Sequence, residues 1–308
     1  MSNPLIVVLG PTAAGKTKLA VALAMHFNGE VISADSRQVF KGMDVGTGKD
    51  LEEYELNGKS IPYHLIDIKA AGEKYQVNAF KEDFYKAYDT IRSHDKLPIL
   101  CGGTGMYIHS VLQNHELTAI PVNENLRLEL QNLSKEQLQT YLTTYPVELR
   151  QQADYSSSKR LIRAIEIAAF LKYNNLEKIA RPEIEPLVIG LSSEVETRRR
   201  KILERLDLRL KNGLIAEVEN LIATGISTEM LTFYGLEYKF IVSYLANEFD
   251  FATLQERLGI AICQFAKRQM TFFRKMEKDG VTINWLNADD PNLKEEAIRL
   301  VARKFDLK

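Results

Sequence analysis

The sequence has little of what several function classes require. Only two cysteines occur in its 308 residues. Cys101 and Cys263 lie far apart in apolar settings, so neither a disulfide framework nor a cysteine zinc site is expected, and a reducing cytoplasm fits. None of the five histidines has metal-ligand spacing, and His64 and His109 read as packed or surface residues. No apolar run approaches the ~20 residues that span a bilayer, so no membrane contact is expected. Met1 to Pro4 lead at once into an apolar segment, which leaves no room for a signal peptide. An excess of charge of one sign is also missing, with 40 Lys and Arg against 41 Asp and Glu. That balance does not exclude a nucleic-acid partner, because charge acts locally and the basic residues are clustered. Internal repeats and low-complexity tracts are absent. What is present is 45% hydrophobic residues, enough for a large core in one domain with an insertion, or in two. A monomer is expected.

The most informative segment is Gly10-Pro11-Thr12-Ala13-Ala14-Gly15-Lys16-Thr17, directly after the apolar run Leu5 to Leu9. It matches the phosphate-binding loop G-x-x-x-x-G-K-[ST] at every fixed position. A short β-branched strand enters a glycine-permitted turn, and Lys18 to Phe27 continue as a helix with Leu19, Ala20, Leu23 and Phe27 at helical spacing. Loop amides then converge on one anion. Lys16 reaches the terminal phosphate oxygens, and the Thr17 hydroxyl stands where Mg²⁺ is held at the helix N-terminus. The competing reading is a strand-to-helix turn without a ligand. The loop alone does not say which phosphate compound it holds.

Further strands are expected at Val31–Ala34, His64–Ile68, Pro98–Cys101, Leu187–Leu191 and Thr282–Trp285, most of the early ones separated by helical stretches. This alternation predicts an α/β, phosphate-loop NTPase-like fold, a parallel sheet with flanking helices and ligands beyond the strands' carboxyl ends. From Asn114 to Tyr155 the strand signals vanish into a polar helical pattern, read as an all-helical insertion at 114–155 between core segments 1–113 and 156–308. Ser193 to Ile222 reads as one long helix or a pair, with Ile202, Leu206, Leu210, Leu214 and Val218 as a core-facing stripe. Ala261 to Met276 is another helix, apolar at Ile262, Phe265, Ala266, Met270 and Phe273 and basic at Lys267, Arg268, Arg274 and Lys275.

Asp35 follows the second strand in Ser33-Ala34-Asp35-Ser36-Arg37-Gln38-Val39. A carboxylate there binds Mg²⁺, accepts a proton from a nucleophile, or merely caps the next helix. Asp67 is a second candidate, for a metal-linked or a purely structural role. Gly102-Gly103-Thr104-Gly105 lets a backbone approach another molecule closely, with Thr104 as its polar contact, unless it is only a tight turn. Basic clusters occur at Lys159-Arg160 with Arg163, at Arg198 to Lys201, and at Lys267-Arg268. Each alone reads as a solvated helix face, but together with a phosphate loop they point to a polyanionic partner.

Taken in order, GPTAAGKT, SADSRQVFKGMDVGTGK, PYHLID, PILCGGTGMYIHSVL, SSKRLIRAIEI and QFAKRQMTFFRK resemble the bacterial tRNA dimethylallyltransferase family over nearly the whole chain. The absence of N-K-x-D argues against a GTPase. The resemblance implies transfer of a dimethylallyl group from dimethylallyl diphosphate to N6 of the adenosine just 3′ of the anticodon. Gly10, Thr12, Ala13, Ala14, Gly15, Lys16 and Thr17 would cradle the diphosphate. A family arginine aligns with Lys201, or with Arg200 if the register slips by one. Asp35 would be the base, Thr104 would position the reacting groups, and Thr17 would help place Mg²⁺. Asp35, Ser36, Arg37, Gln38 and Thr104 would line a channel for the adenine and its neighbours. Lys159, Arg160, Leu161, Ile162 and Arg163, with Lys267, Arg268 and Gln269, would contact the tRNA, and the insertion would embrace the anticodon stem. One departure is Gly235-Leu236-Glu237-Tyr238, where many relatives carry G-Y-R-Q, which puts a carboxylate near the expected RNA surface. Rival readings are prenyl transfer to free adenine nucleotides, an ATP-dependent small-molecule kinase, and an RNA-binding protein with an idle loop.

Overall fold

The computed structural model describes residues 3–177 and 179–307. The strands are β1 (Pro4–Leu9), β2 (Gly29–Ser33), β3 (Glu55–Leu56), β4 (Lys59–Ser60), β5 (Tyr63–His64), β6 (Leu97–Gly102), β7 (Glu185–Ser192) and β8 (Ile283–Asn287). The helices up to the insertion are α1 (Lys16–Phe27), α2 (Val77–Ser93) and α3 (Gly105–Leu112). The insertion contributes α4 (Glu124–Leu130), α5 (Lys135–Thr143), α6 (Val147–Arg150) and α7 (Ser158–Leu171). After it come α8 (Val195–Lys211), α9 (Leu214–Ala223), α10 (Thr228–Tyr234), α11 (Leu236–Leu245), α12 (Phe251–Lys278) and α13 (Leu293–Phe305). No helix among the described residues is long and apolar enough to cross a membrane.

Two compact units emerge. One joins residues 1–113 to 183–308, and the other is Asn114–Pro182. The first contains a six-stranded parallel sheet in the order β5-β2-β6-β1-β7-β8. Strand β1 is central, with Val7 opposite Leu100 of β6 on one side and Val188 of β7 on the other. A central parallel strand is covered on both faces, which is why Leu5 to Leu9 is an unbroken apolar run, fully buried. Its side chains still alternate: Leu5, Val7 and Leu9 join the larger core with α2, α3 and α8 to α12, while Ile6 and Val8 face α1 and α13. The stripe from Ile202 to Val218 is core, on two helices instead of one, because Gly213 takes a left-handed φ of 95° between them.

The strand expected at His64–Ile68 is cut short after His64. Leu65 and Asp67 adopt φ of 63° and 56°, which no strand can accommodate. Asp67 instead forms a close ion pair with the buried Lys49, whose ammonium also meets Asp44 and the Phe40 carbonyl. Asp67 is thus engaged as a structural carboxylate. His64 is likewise structural, its Nε2 lying 2.6 Å from Glu30.

In the second unit, Leu130, Leu138 and Leu142 pack with Leu161, Ala164, Ile165 and Ala168 of α7. The unit therefore extends to Pro182 instead of ending near residue 155, since α7 completes its core. Ser134 and Gln137 form a reciprocal capping box at the start of α5. Glu166 is buried there and accepts a bidentate pair from Arg127, at 2.9 and 3.0 Å.

Candidate active site

Strands β2, β6 and β1 are adjacent, so the loops at their carboxyl ends meet. The loop after β1 is built on two left-handed residues, Ala13 (φ 62°) and Gly15 (φ 75°), and Lys16 and Thr17 open α1 directly behind it. Gly10 has a different task, because a Cβ there would stand 3.0 Å from the Leu191 carbonyl of β7. The Lys16 ammonium folds back onto the Pro11 carbonyl at 2.8 Å. Burial pushes its pKa below the ordinary lysine range.

Asp35 follows β2, and its Oδ1 accepts the Arg37 amide at 2.9 Å, fixing the carboxylate in an Asx turn. From the loop after β6, Thr104 Oγ1 accepts the Ser36 amide at 3.0 Å, which leaves the Thr104 hydroxyl proton available to another acceptor. Gly102 and Gly103 of this second loop line a cavity with Lys16 and Asp35 and also pack closely against the protein. A Cβ on Gly102 would lie 2.3 Å from the Ala34 carbonyl, one on Gly103 2.4 Å from Gln269 Nε2, and one on Gly105 2.3 Å from Phe272. These close approaches are to the protein itself.

These groups line one cavity of about 220 Å³ that holds Thr12, Lys16 and Thr17 together with Asp35, Ser36, Arg37, Gln38 and Thr104. The sequence-expected core of the site is therefore brought together. Gln38 is committed within the wall, where its Nε2 donates to the Gly48 carbonyl at 3.0 Å and its Oε1 meets Ser33 Oγ at 2.9 Å. Gln269, expected as an RNA contact, is buried. Its Oε1 accepts the Thr12 amide and its Nε2 donates to Gly103, both at 2.9 Å, so it ties the two loops together. Lys267 and Arg268, beside it on α12, are exposed. Cys101 also lines the cavity, but burial pushes its thiol up to about 12, so it is neutral and not a nucleophile.

The cation expected on α8 shares a groove with the phosphate loop. Lys201 forms a close pair with Asp289 and lines a groove with Ala13, Ala14, Gly15, Lys16 and Thr17 of the loop, while Arg200 is exposed and pairs with Glu204 at 3.2 Å. The α8 cations that line the main cavity are Arg205 and Arg209, one and two turns further on. The signal was legible, since positions 201, 205 and 209 share a helix face. Glu237, expected at an RNA surface, also lines this cavity, together with Tyr234 and Phe265. Burial raises the Glu237 carboxyl, against the pull of Arg209 and Arg205.

In the helical unit the expected RNA segment divides. Leu161 is wholly buried and Ile162 packs beside it, so both belong to the core. Arg163 donates to the Ile120 carbonyl at 2.7 Å and to Leu117 at 3.2 Å, and pairs with Glu166 at 3.4 Å, which makes it a structural cation. Lys159 and Arg160 are exposed, Arg160 meeting Asp154 at 2.8 Å.

Among the described residues, no cluster of three or more His, Cys, Asp or Glu side chains could hold a metal unaided. Thr17, lining the cavity at the start of α1, would hold Mg²⁺ together with water and substrate oxygens.

Residues 38–276 match the family model described as IPP transferase, and residues 3–68 match the one described as isopentenyl transferase. The chain belongs to the IPP transferase family. It is 51% identical over 284 residues to tRNA dimethylallyltransferase 2 of Phocaeicola vulgatus, covering 92% of each chain. It is 47% identical over 302 residues to tRNA dimethylallyltransferase 1 of Parabacteroides distasonis, covering 98% of this chain and 97% of that one. Among solved structures, the full-length tRNA isopentenylpyrophosphate transferase of Bacillus halodurans superposes with a TM-score of 0.73 at 31% identity, covering 99% of this chain and 97% of that one. The fold class and family expected from the sequence motifs hold.

Proposed function

We propose that this IPP transferase moves a dimethylallyl group from dimethylallyl diphosphate to N6 of the adenosine immediately 3′ of the anticodon in tRNA, releasing diphosphate. The observation that carries this reading is a phosphate loop and a strand-end carboxylate opening on one cavity, in a chain of this family.

The loop binds the diphosphate, with Lys16 and Arg205 offsetting the negative charge that develops as the allylic C–O bond breaks. Mg²⁺, held through Thr17 and the phosphate oxygens, would supply further neutralisation of the leaving group. An exocyclic amine is a weak nucleophile, because its lone pair is delocalised into the ring. Asp35, oriented by the Arg37 amide, accepts the N6 proton as the new C–N bond forms, and Thr104 donates its free hydroxyl proton to position the base. A stacked adenine cannot reach such a cavity, so the nucleotide is extruded from the anticodon loop into it. Exposed Lys159, Arg160, Lys267 and Arg268 contact the RNA backbone. The enzyme acts in the cytoplasm, where it meets its tRNA.

The test supplies Mg²⁺, labelled dimethylallyl diphosphate and unmodified tRNA, with AMP and ATP as competing acceptors. Label on the adenosine beside the anticodon supports the reading. Label on free nucleotide transfers it to adenylate prenylation, and no label with ATP turnover transfers it to a kinase.

A further inference from the structure

Arg205 and Arg209 occupy successive turns of α8, and their guanidinium tips converge. A Cβ on Gly48 would stand 1.5 Å from Arg209 Nη2 and 2.4 Å from Arg205 Nη2, so both tips crowd the same glycine. Like charges one turn apart repel, and the cavity's low dielectric strengthens that repulsion. Arg205 is compensated by its ion pair with Asp50. Among the described residues, Arg209 has neither a hydrogen bond nor a close ion pair through its guanidinium. It lines the main cavity with Lys16 and Thr17, and a smaller recess with Thr12, Ala13 and Glu237. Burial, followed by the neighbouring Arg205, lowers its pKa to about 10, so it stays charged at neutral pH. A guanidinium with no hydrogen-bond partner among the described residues, beside a phosphate loop, fits a dense anion.

The second observation is at position 237. Glu237 shares the recess with Arg209, and Arg209 is the first of the charged groups acting on its carboxyl. The recess thus sets a cation on α8 against a carboxylate on α11.

We propose that Arg209 is a second arginine of the diphosphate site, supplying charge from α8, with Glu237 balancing it in the free enzyme. This rests on the reading of the cavity as a diphosphate site. The expected contact is with a bridging or terminal diphosphate oxygen, in a bidentate geometry that a lysine would not reproduce.

The test is calorimetric titration with inorganic diphosphate and Mg²⁺, which needs neither tRNA nor turnover. Arg209→Met, which keeps length without charge, is expected to weaken binding at least tenfold while changing the tRNA Michaelis constant less than twofold. Moving the cation, in Arg209→Met/Glu237→Arg, is expected to restore affinity to within about threefold of the parent. A folded Arg209→Met variant with parental affinity overturns the proposal, as does one that loses tRNA affinity instead. If the double variant does not fold, Arg209→Lys replaces it: an affinity between parent and Arg209→Met supports the proposal, and one equal to the parent overturns the bidentate contact. Failure of the parent itself to bind diphosphate would refute the broader reading of the cavity, an outcome separate from either variant's.

Discussion

The two glycine-rich loops of the cavity look alike in sequence and work by different physics. In the loop after β1, Gly15 provides conformation, left-handed with nothing within 4 Å of a Cβ there, and only Gly10 approaches a neighbouring strand. In the loop after β6, glycine provides proximity, with Gly102 against the Ala34 carbonyl and Gly103 against Gln269. Gly15 leaves the first loop open, while Gly102 and Gly103 line the cavity and also pack against its wall. Gln269 links them, so the geometry of the open loop depends on the packing of the closed one.

Lys16→Ala should have the largest effect. Loss of one preorganised charge at the leaving group costs about 10²–10³-fold in rate, with weaker diphosphate binding, measurable by single-turnover transfer and titration. The pH dependence has a defined sign. Diphosphate binds the protonated ammonium, so affinity is complete below the folded pKa and lost above it. Because burial lowers that pKa, affinity in the free enzyme declines with rising pH before an ordinary lysine would titrate.

The glycines separate the two loops directly. Gly102→Ala forces a Cβ into backbone and should destabilise folding by about 1–3 kcal/mol, whereas Gly15→Ala should cost about 1–2 kcal/mol of left-handed strain at the cradle. Denaturant titration beside diphosphate binding distinguishes them. Gly102→Ala should shift the unfolding midpoint more, and Gly15→Ala should weaken binding more. Equal behaviour in both assays would erase the contrast.

Gln269→Ala removes the tie between the loops and leaves the Thr12 amide without its acceptor, an expected loss of about 1–3 kcal/mol with a raised Michaelis constant for dimethylallyl diphosphate. The smallest effects belong to the helical unit. Arg163→Ala should lower the unit's thermal stability, because it frees the Leu117 and Ile120 carbonyls. Arg160→Ala should leave stability unchanged, raise the Michaelis constant for tRNA and reduce its salt slope by about 1.

The sheet and the phosphate loop were legible because they depend on local pattern: an unbroken apolar strand, fixed glycine and lysine positions, and helical spacing. Asp35 and Thr104 were legible as polar residues at strand ends. Pairings across the chain were not. Nothing near Asp67 in sequence announces Lys49, and nothing near Gln269 announces Thr12, 257 positions away. Basic clusters misled for a related reason. In Lys159 to Arg163 the helix points Leu161 and Arg163 inward and Lys159 and Arg160 outward, a division visible only once the apolar face of α7 is placed. The expected place of Glu237 near the RNA surface said nothing of its recess, which depends on α8, nearly thirty positions earlier in the chain, coming to lie beside it.

The most direct measurement is single-turnover transfer by Asp35→Ala, with binding of tRNA and of diphosphate measured on the same preparation. If Asp35 is the base, the chemical step slows by about 10²–10⁴-fold while tRNA affinity changes by no more than about 1–2 kcal/mol and diphosphate affinity is retained. Near-parental turnover with both substrates bound would contradict it and remove the proton acceptor from this cavity.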